Sequence, residues 1–246
     1  MSVSSMLESV MPHQTRQEAQ LFRKVGVMSF QGFSPDSFRF YSDLVANNNR
    51  EWWFANKSRY ETAIRNPILA LIEELEPEFG LSKLYRPYRD TRFSGNKDPY
   101  KENAAVSVFG VASTGLYFEL NARGLELGGG YWMPGKDQLA RFRHNADDIR
   151  LFGDLEATVE ELQEHGFELW QGDALKTNPR GFDSSHPRIG LLRLKHMVVT
   201  KTISPEPWMF EPGAASRIAQ EWRTVGIWNE WLASAVGPSL EPPRAR

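Results

Sequence analysis

The chemistry of this sequence concentrates in residues 86–101, RPYRDTRFSGNKDPYK. From Lys83 to Lys101 six basic residues (Lys83, Arg86, Arg89, Arg92, Lys97 and Lys101) stand against two acids, Asp90 and Asp98, in a chain whose net charge is −2. Arginine presents a planar fork that pairs two oxygens of a phosphate or carboxylate. A small anion is the partner that such a donor set fits, with Arg86, Arg89, Arg92 and Lys97 gripping it. Asp90 is suited to orienting Arg89 or Arg92 rather than to doing chemistry. Tyr100 offers a hydroxyl and a ring, and Asn96 and Lys101 complete the set. Lys97 follows Gly95-Asn96, so a loop carries it, a placement that suits a group closing over a ligand. The competing reading is a structural ion-pair network in which these arginines fasten the loop to acidic helices through Glu51, Glu61, Glu73 and Glu74.

Two further stretches offer candidates. Residues 127–134, LGGGYWMP, combine three glycines, which permit close backbone approach, with Trp132, placed to stack on a ligand. No lysine follows in the Walker pattern, so a nucleotide P-loop is unsupported. The plainer reading is a strand-ending bulge before a helix. Residues 176–186, KTNPRGFDSSH, put Arg180 in a turn near the same pocket and bring in His186, either as an acid or base near neutral pH or as a cap on a short helix. His144, Asp183, His186 and His196 are metal-ligand types, but their spacing matches no ligand pattern, so no metal is expected. No redox-cofactor fingerprint, serine triad or glycosidase carboxylate pair stands out. No cofactor is expected, and the reaction class, including whether there is one, stays open.

The spaced set Arg86, Arg89, Asp90, Arg92, Phe93, Asn96, Lys97 and Tyr100 resembles the signature of a bacterial and fungal family known as domain of unknown function 2461. NNNREWWFANKSRYE at 47–61, GGGYWMP at 128–134, LKTNPRGFDSSHP at 175–187 and LLRLKH after it are also similar to that family. The resemblance spans about residues 30–235 and implies no particular reaction. Asp98 departs from the pattern, standing where such proteins often carry a small hydroxyl residue. That departure argues against a phosphate contact there.

Helices and strands must position these groups. Ser34 followed by Pro35 predicts a helix over 34–46, and the run of three Asn at 47–49 ends it. A helical stretch over 50–79 follows, broken or kinked at Pro67. The aromatics Trp52, Trp53, Phe54 and Tyr60 read as core. Residues 84–89, 105–111, 115–120 and 125–130 read as strands, the last two around a turn at Asn121-Ala122-Arg123-Gly124. Helices are predicted over 135–145 and 154–165, a hairpin over 167–177, a short helix over 186–194 and a strand over 197–203. A final helix over 214–235 carries Ile218, Trp222, Val225, Trp228 and Leu232 on one face. Without βαβ alternation, this order predicts an α+β fold: a mostly antiparallel central sheet, with helices from both ends of the chain packing on it.

The sequence has 246 residues, 41% of them hydrophobic and 12% aromatic, enough for a substantial core. One domain over 30–236 is expected, preceded by an arm over 1–29 that is helical or disordered and followed by a disordered Pro-rich tail over 237–246. The slight net acidity disfavours nucleic acid as a partner. No cysteine is present, and no apolar run approaches the ~18–20 residues of a membrane span. A cytoplasmic protein with a small anionic ligand and no membrane partner is the expectation. Its oligomeric state is open.

Overall fold

The computed structural model describes residues 29–90, 92, 95, 97–110 and 114–241. The arm expected over 1–29 lies outside them, apart from Ser29. Helix α1 (Pro35–Ala46) starts where Ser34 is extended and Pro35 takes the first helical position. The Ser37 hydroxyl accepts from the Ser34 N–H at 3.1 Å and donates to the Ala63 carbonyl at 2.6 Å, so the start of α1 is tied to the helical run that follows it. Helix α2 (Arg50–Tyr60) opens on Asn49, whose side chain accepts the Trp52 N–H. It runs through a π turn (Glu61–Arg65) into α3 (Asn66–Phe79). Pro67 comes just after that π turn, and the helix expected to break or kink there instead continues through it.

Strands β1 (Ser82–Leu84), β2 (Asn103–Phe109), β3 (Gly115–Asn121) and β4 (Gly124–Tyr131) follow. Helices α4 (Lys136–Asp147) and α5 (Ile149–Glu164), strand β5 (Glu168–Leu169), the single-turn α6 (Ile189–Leu192) and strand β6 (Met197–Ile203) come next. A 3-10 turn (Pro207–Phe210), α7 (Ala214–Trp231) and a π turn (Leu232–Val236) close the fold. The six strands form one wholly antiparallel sheet in the order β1-β2-β3-β4-β6-β5. The expected α+β class is the observed one.

Alternation divides the sheet. Val106, Val108, Phe118, Leu120, Leu125, Leu127 and Val199 point to one face and are buried. There Phe33 stacks on Phe118 at 5.9 Å, and α7 lays Ile218, Trp222, Val225 and Trp228 against the strands. The opposite face carries Lys83, Ser107, Phe109, Tyr117, Glu119, Glu126, Thr200 and Thr202, all half-buried or exposed, as a solvated antiparallel face does.

Several expected elements differ. The strand expected over 84–89 stops at Leu84. Beyond it Tyr85 N–H still bonds Ala105, but Pro87 and Pro99 have no N–H to give, so the ladder thins to Lys101 N–H to Pro87, Arg89 N–H to Pro99 and one bridge between Tyr88 and Tyr100. Helix α5 starts five residues earlier than Asp154, because Asp148 takes the cap by accepting from Arg150 N–H. The hairpin over 167–177 does not form. β5 pairs with β6 instead, and Leu175 N–H goes to Arg193. Within the stretch expected as a disordered tail, Gly237 and Pro238 give carbonyls to Gln138 and Arg141, while Ser239 and Leu240 bond Asp137.

Candidate functional site

The break between α1 and α2 builds the site. Asn48 brackets the backbone of Tyr100, 52 residues away in sequence: its amide donates to the Tyr100 carbonyl at 3.1 Å and accepts the Tyr100 N–H at 3.2 Å. On the buried side of α2, Trp53 stacks on the Tyr100 ring at 4.2 Å and 10°. Tyr88 leans on the same pair, 5.4 Å from Tyr100 and 6.1 Å from Trp53. Arg50 and Phe54, four residues apart, share the neighbouring stripe of the helix. Between that stripe and the arginine loop opens a cleft of about 330 Å³, lined by Arg50, Phe54, Tyr88, Arg89, Pro99 and Tyr100.

The cleft is cationic. Among the described residues neither Arg50 nor Arg89 has a carboxylate within ion-pair distance. Arg89 donates to the Tyr100 carbonyl at 3.4 Å, and its Nε is buried with no hydrogen-bond partner. Burial, and secondarily Tyr88, pushes the Tyr100 hydroxyl up, with Arg50 acting in the opposite sense. Lys101 is pushed down, first by burial and then by the positive charges of Arg86 and Arg89. Arg86, Arg89 and Lys101 thus crowd one corner closely enough for the two arginines to act on the lysine.

Of the expected site residues, Arg89 and Tyr100 line the cleft. Arg86 and Lys101 lie beside it, Lys101 with its ammonium 5.3 Å from the Tyr85 ring. Asp90 holds Arg92 rather than Arg89, through two hydrogen bonds of 3.0 and 2.7 Å. That pair is open to water, with side-chain exposures of 43% and 76%, so Asp90 serves no buried arginine; Arg92 holds its carboxyl down at about 2. Lys97 is exposed and outside the cleft lining. Asn96 and Phe93 lie outside the described residues. Neither Arg86 nor Arg89 pairs with Glu51, Glu61, Glu73 or Glu74, and Glu61 pairs instead with Arg65. Trp132 closes β4 at the far end of the sheet from Tyr100, packed on His196 at 4.8 Å and Trp170 at 5.0 Å. Arg180 is exposed in its turn.

His186 acts as a local cap. Its Nδ1 accepts the Arg188 N–H at 3.1 Å, so the neutral ring carries its proton on Nε2 and donates to Asp147. Among the described residues no three His, Cys, Asp or Glu side chains converge as metal ligands do.

Sequence reasoning missed Arg50 and Phe54. Trp53 and Tyr60 are core as expected, but Phe54 is 67% exposed. The available signal was the i, i+4 spacing of Arg50 and Phe54 directly after an Asn cap. Also missed was a carboxylate pair on the open sheet face, where Glu119 on β3 stands opposite Glu126 on β4. Tyr117 donates to one oxygen of Glu119 at 2.5 Å and Asn121 to the other at 2.8 Å. Glu126 is pushed up from its ordinary value, first by burial and then by Glu119. Its folded form therefore favours the proton, and the stability this contributes is present at low pH and lost as pH rises through the carboxylate range. Glu126→Gln should accordingly stabilise the fold at pH 7 by about 0.2–1 kcal/mol, the scale of a cross-strand pair. The gain should vanish near about pH 3.5, where both states are protonated. Urea unfolding at the two pH values checks it, and a loss of stability at pH 7 would refute it.

The family model of the conserved hypothetical protein DUF2461 matches residues 36–231, most of the chain, and the chain belongs to that family. No curated protein and no solved structure matches it.

Proposed function

We propose that this member of the DUF2461 family binds a small anionic ligand, phosphate- or carboxylate-bearing, in the cleft between Arg50 and Arg89. The observation that carries the reading is Arg89: a guanidinium lining an open cleft, with no carboxylate within ion-pair distance among the described residues and with a buried, unpaired Nε. Buried polar groups are ordinarily hydrogen-bonded, and a charged one left unpaired is costly. An oxyanion in the cleft would supply the counter-charge that Arg89 lacks, since a planar guanidinium fork pairs two oxygens at once. Arg50 faces the same space from the first turn of a helix rather than from a loop. Among the described residues no helix is long and apolar enough to cross a membrane. A fold without disulfides suits the reducing cytoplasm, where we place it.

Calorimetric titration with inorganic phosphate tests the reading. Arg89→Ala should weaken binding by about 10- to 150-fold, the equivalent of the ~1.5–3 kcal/mol of a hydrogen bond to a charged group. Arg50→Ala should weaken it as well. Anions such as sulfate stabilise proteins generally by exclusion, so the informative quantity is the difference between wild type and variant. Equal phosphate affinity in wild type and Arg89→Ala would overturn the proposal.

A further inference from the structure

We infer that the anion bound in this cleft carries a flat ring, as an aryl phosphate or a nucleoside monophosphate does; the inference rests on the anion reading above and adds the class of the ligand's body. Two of the cleft's walls are aromatic and open to solvent: Phe54 is 67% exposed and Tyr88 is 47% exposed. Phe54 contacts no other ring among the described residues, whereas most rings of this fold sit in aromatic clusters. An uncovered ring at the mouth of a cleft is a surface that a ligand can cover. Tyr88 is held ready for the same task, because Tyr100 and Trp53 back it.

Position and size agree. Phe54 lies one turn beyond Arg50 on α2, about 6 Å along the helix axis. A bare phosphate gripped by the guanidiniums would leave Phe54 untouched, while a ring attached to that phosphate would reach it. The volume, about 330 Å³, falls at the lower end of the range for small-molecule sites. Among the described residues no carboxylate lines the cleft, so a cationic aromatic ligand meets no counter-charge from them. A neutral ring would leave Arg50 and Arg89 unanswered. Base and aryl stacking on aromatic side chains tolerates any flat ring, so the shared feature of the ligand is a ring bearing an anion.

The test titrates the full chain with inorganic phosphate, glycerol 2-phosphate, phenyl phosphate and phenol. Phenyl phosphate should bind about tenfold or more tightly than the two phosphates that lack a ring. In Phe54→Ala, a surface substitution that should fold normally, the ratio of phenyl phosphate to inorganic phosphate affinity should fall close to one. Equal affinities for all three phosphates in the wild type would overturn the ring and leave the anion reading standing. Phenyl phosphate or phenol binding that depends on Phe54 but not on Arg89 would overturn the anion reading, and with it the ring-bearing anion, and leave a cleft that binds rings. No binding by any of the four would overturn both. A single-stranded oligonucleotide that binds with steep salt dependence, where phenyl phosphate does not bind, would replace the small-ligand site with a nucleic-acid surface.

Discussion

Replacing Gly130 with Ala should cost about 3–4 kcal/mol, among the larger losses a single methyl group can cause. Gly130 lies inside β4 with φ at +127°, a backbone conformation that side-chain-bearing residues rarely adopt. A Cβ built there would stand 2.0 Å from the Met197 carbonyl oxygen of the paired strand β6. That oxygen cannot move aside: it belongs to the sheet backbone and already accepts the Trp228 indole N–H at 3.0 Å. β4 is flanked on both sides, by β3 and β6, so no free edge exists to absorb a shift. Gly153, inside α5, is the control, since an added Cβ there meets nothing within 4 Å. Gly153→Ala should stabilise by about 0.5–1 kcal/mol through helix propensity. Urea unfolding of the two variants decides the matter. A loss under about 1 kcal/mol for Gly130→Ala would mean that the strands separate more easily than their register suggests.

The same glycine shows where the sequence could and could not be read. Three glycines before Tyr-Trp suggested a ligand loop or a strand-ending bulge. They lie, buried, in the second half of the strand expected over 125–130, with no bulge in its register and with the backbones of both neighbours close by. Composition reports that a backbone can come close, not which one does. Strands β3, β4 and β6 were legible because one face of each is apolar and the other polar, and β6 runs from Met197 to Ile203 as the alternation predicts. Helix α1 was legible from Ser34 and Pro35. The start of α5 was not, because Asp148 and Asp154 are equally good caps and only the packing chooses. At the site, the arginine loop was visible as an excess of charge, yet only Arg89 of its three arginines lines the cleft. The second guanidinium, Arg50, and the exposed ring, Phe54, were hidden for a physical reason. Which stripe of α2 stays uncovered depends on where Asn48 anchors a segment 52 residues away, and no local pattern records that.

That anchor rests on Trp53, and Trp53→Ala should be the most damaging change near the cleft, costing about 3–5 kcal/mol. The ring is 2% exposed and touches Phe40, Tyr60, Tyr88 and Tyr100 at centroid distances of 6.0, 5.0, 6.1 and 4.2 Å. Removing it leaves a void among four aromatic rings that helices α1 and α2 cannot collapse to fill. Tyr100 would keep its backbone bonds to Asn48 but lose its flat support, so the floor of the cleft would loosen along with the fold. Trp53→Phe separates the two contributions of the indole. It keeps a ring against Tyr100 and removes the Nε1 donor, which is buried with no acceptor. An unsatisfied buried donor costs about 1–3 kcal/mol, and its removal should offset much of the volume lost. Trp53→Phe is therefore expected within about 1.5 kcal/mol of wild type, with phosphate binding retained, while Trp53→Ala loses both stability and binding. If the two variants are equally destabilised, the Tyr100 stack is not what holds the loop. In that case Asn48 carries the attachment alone, and Asn48→Ala should then reproduce the loss.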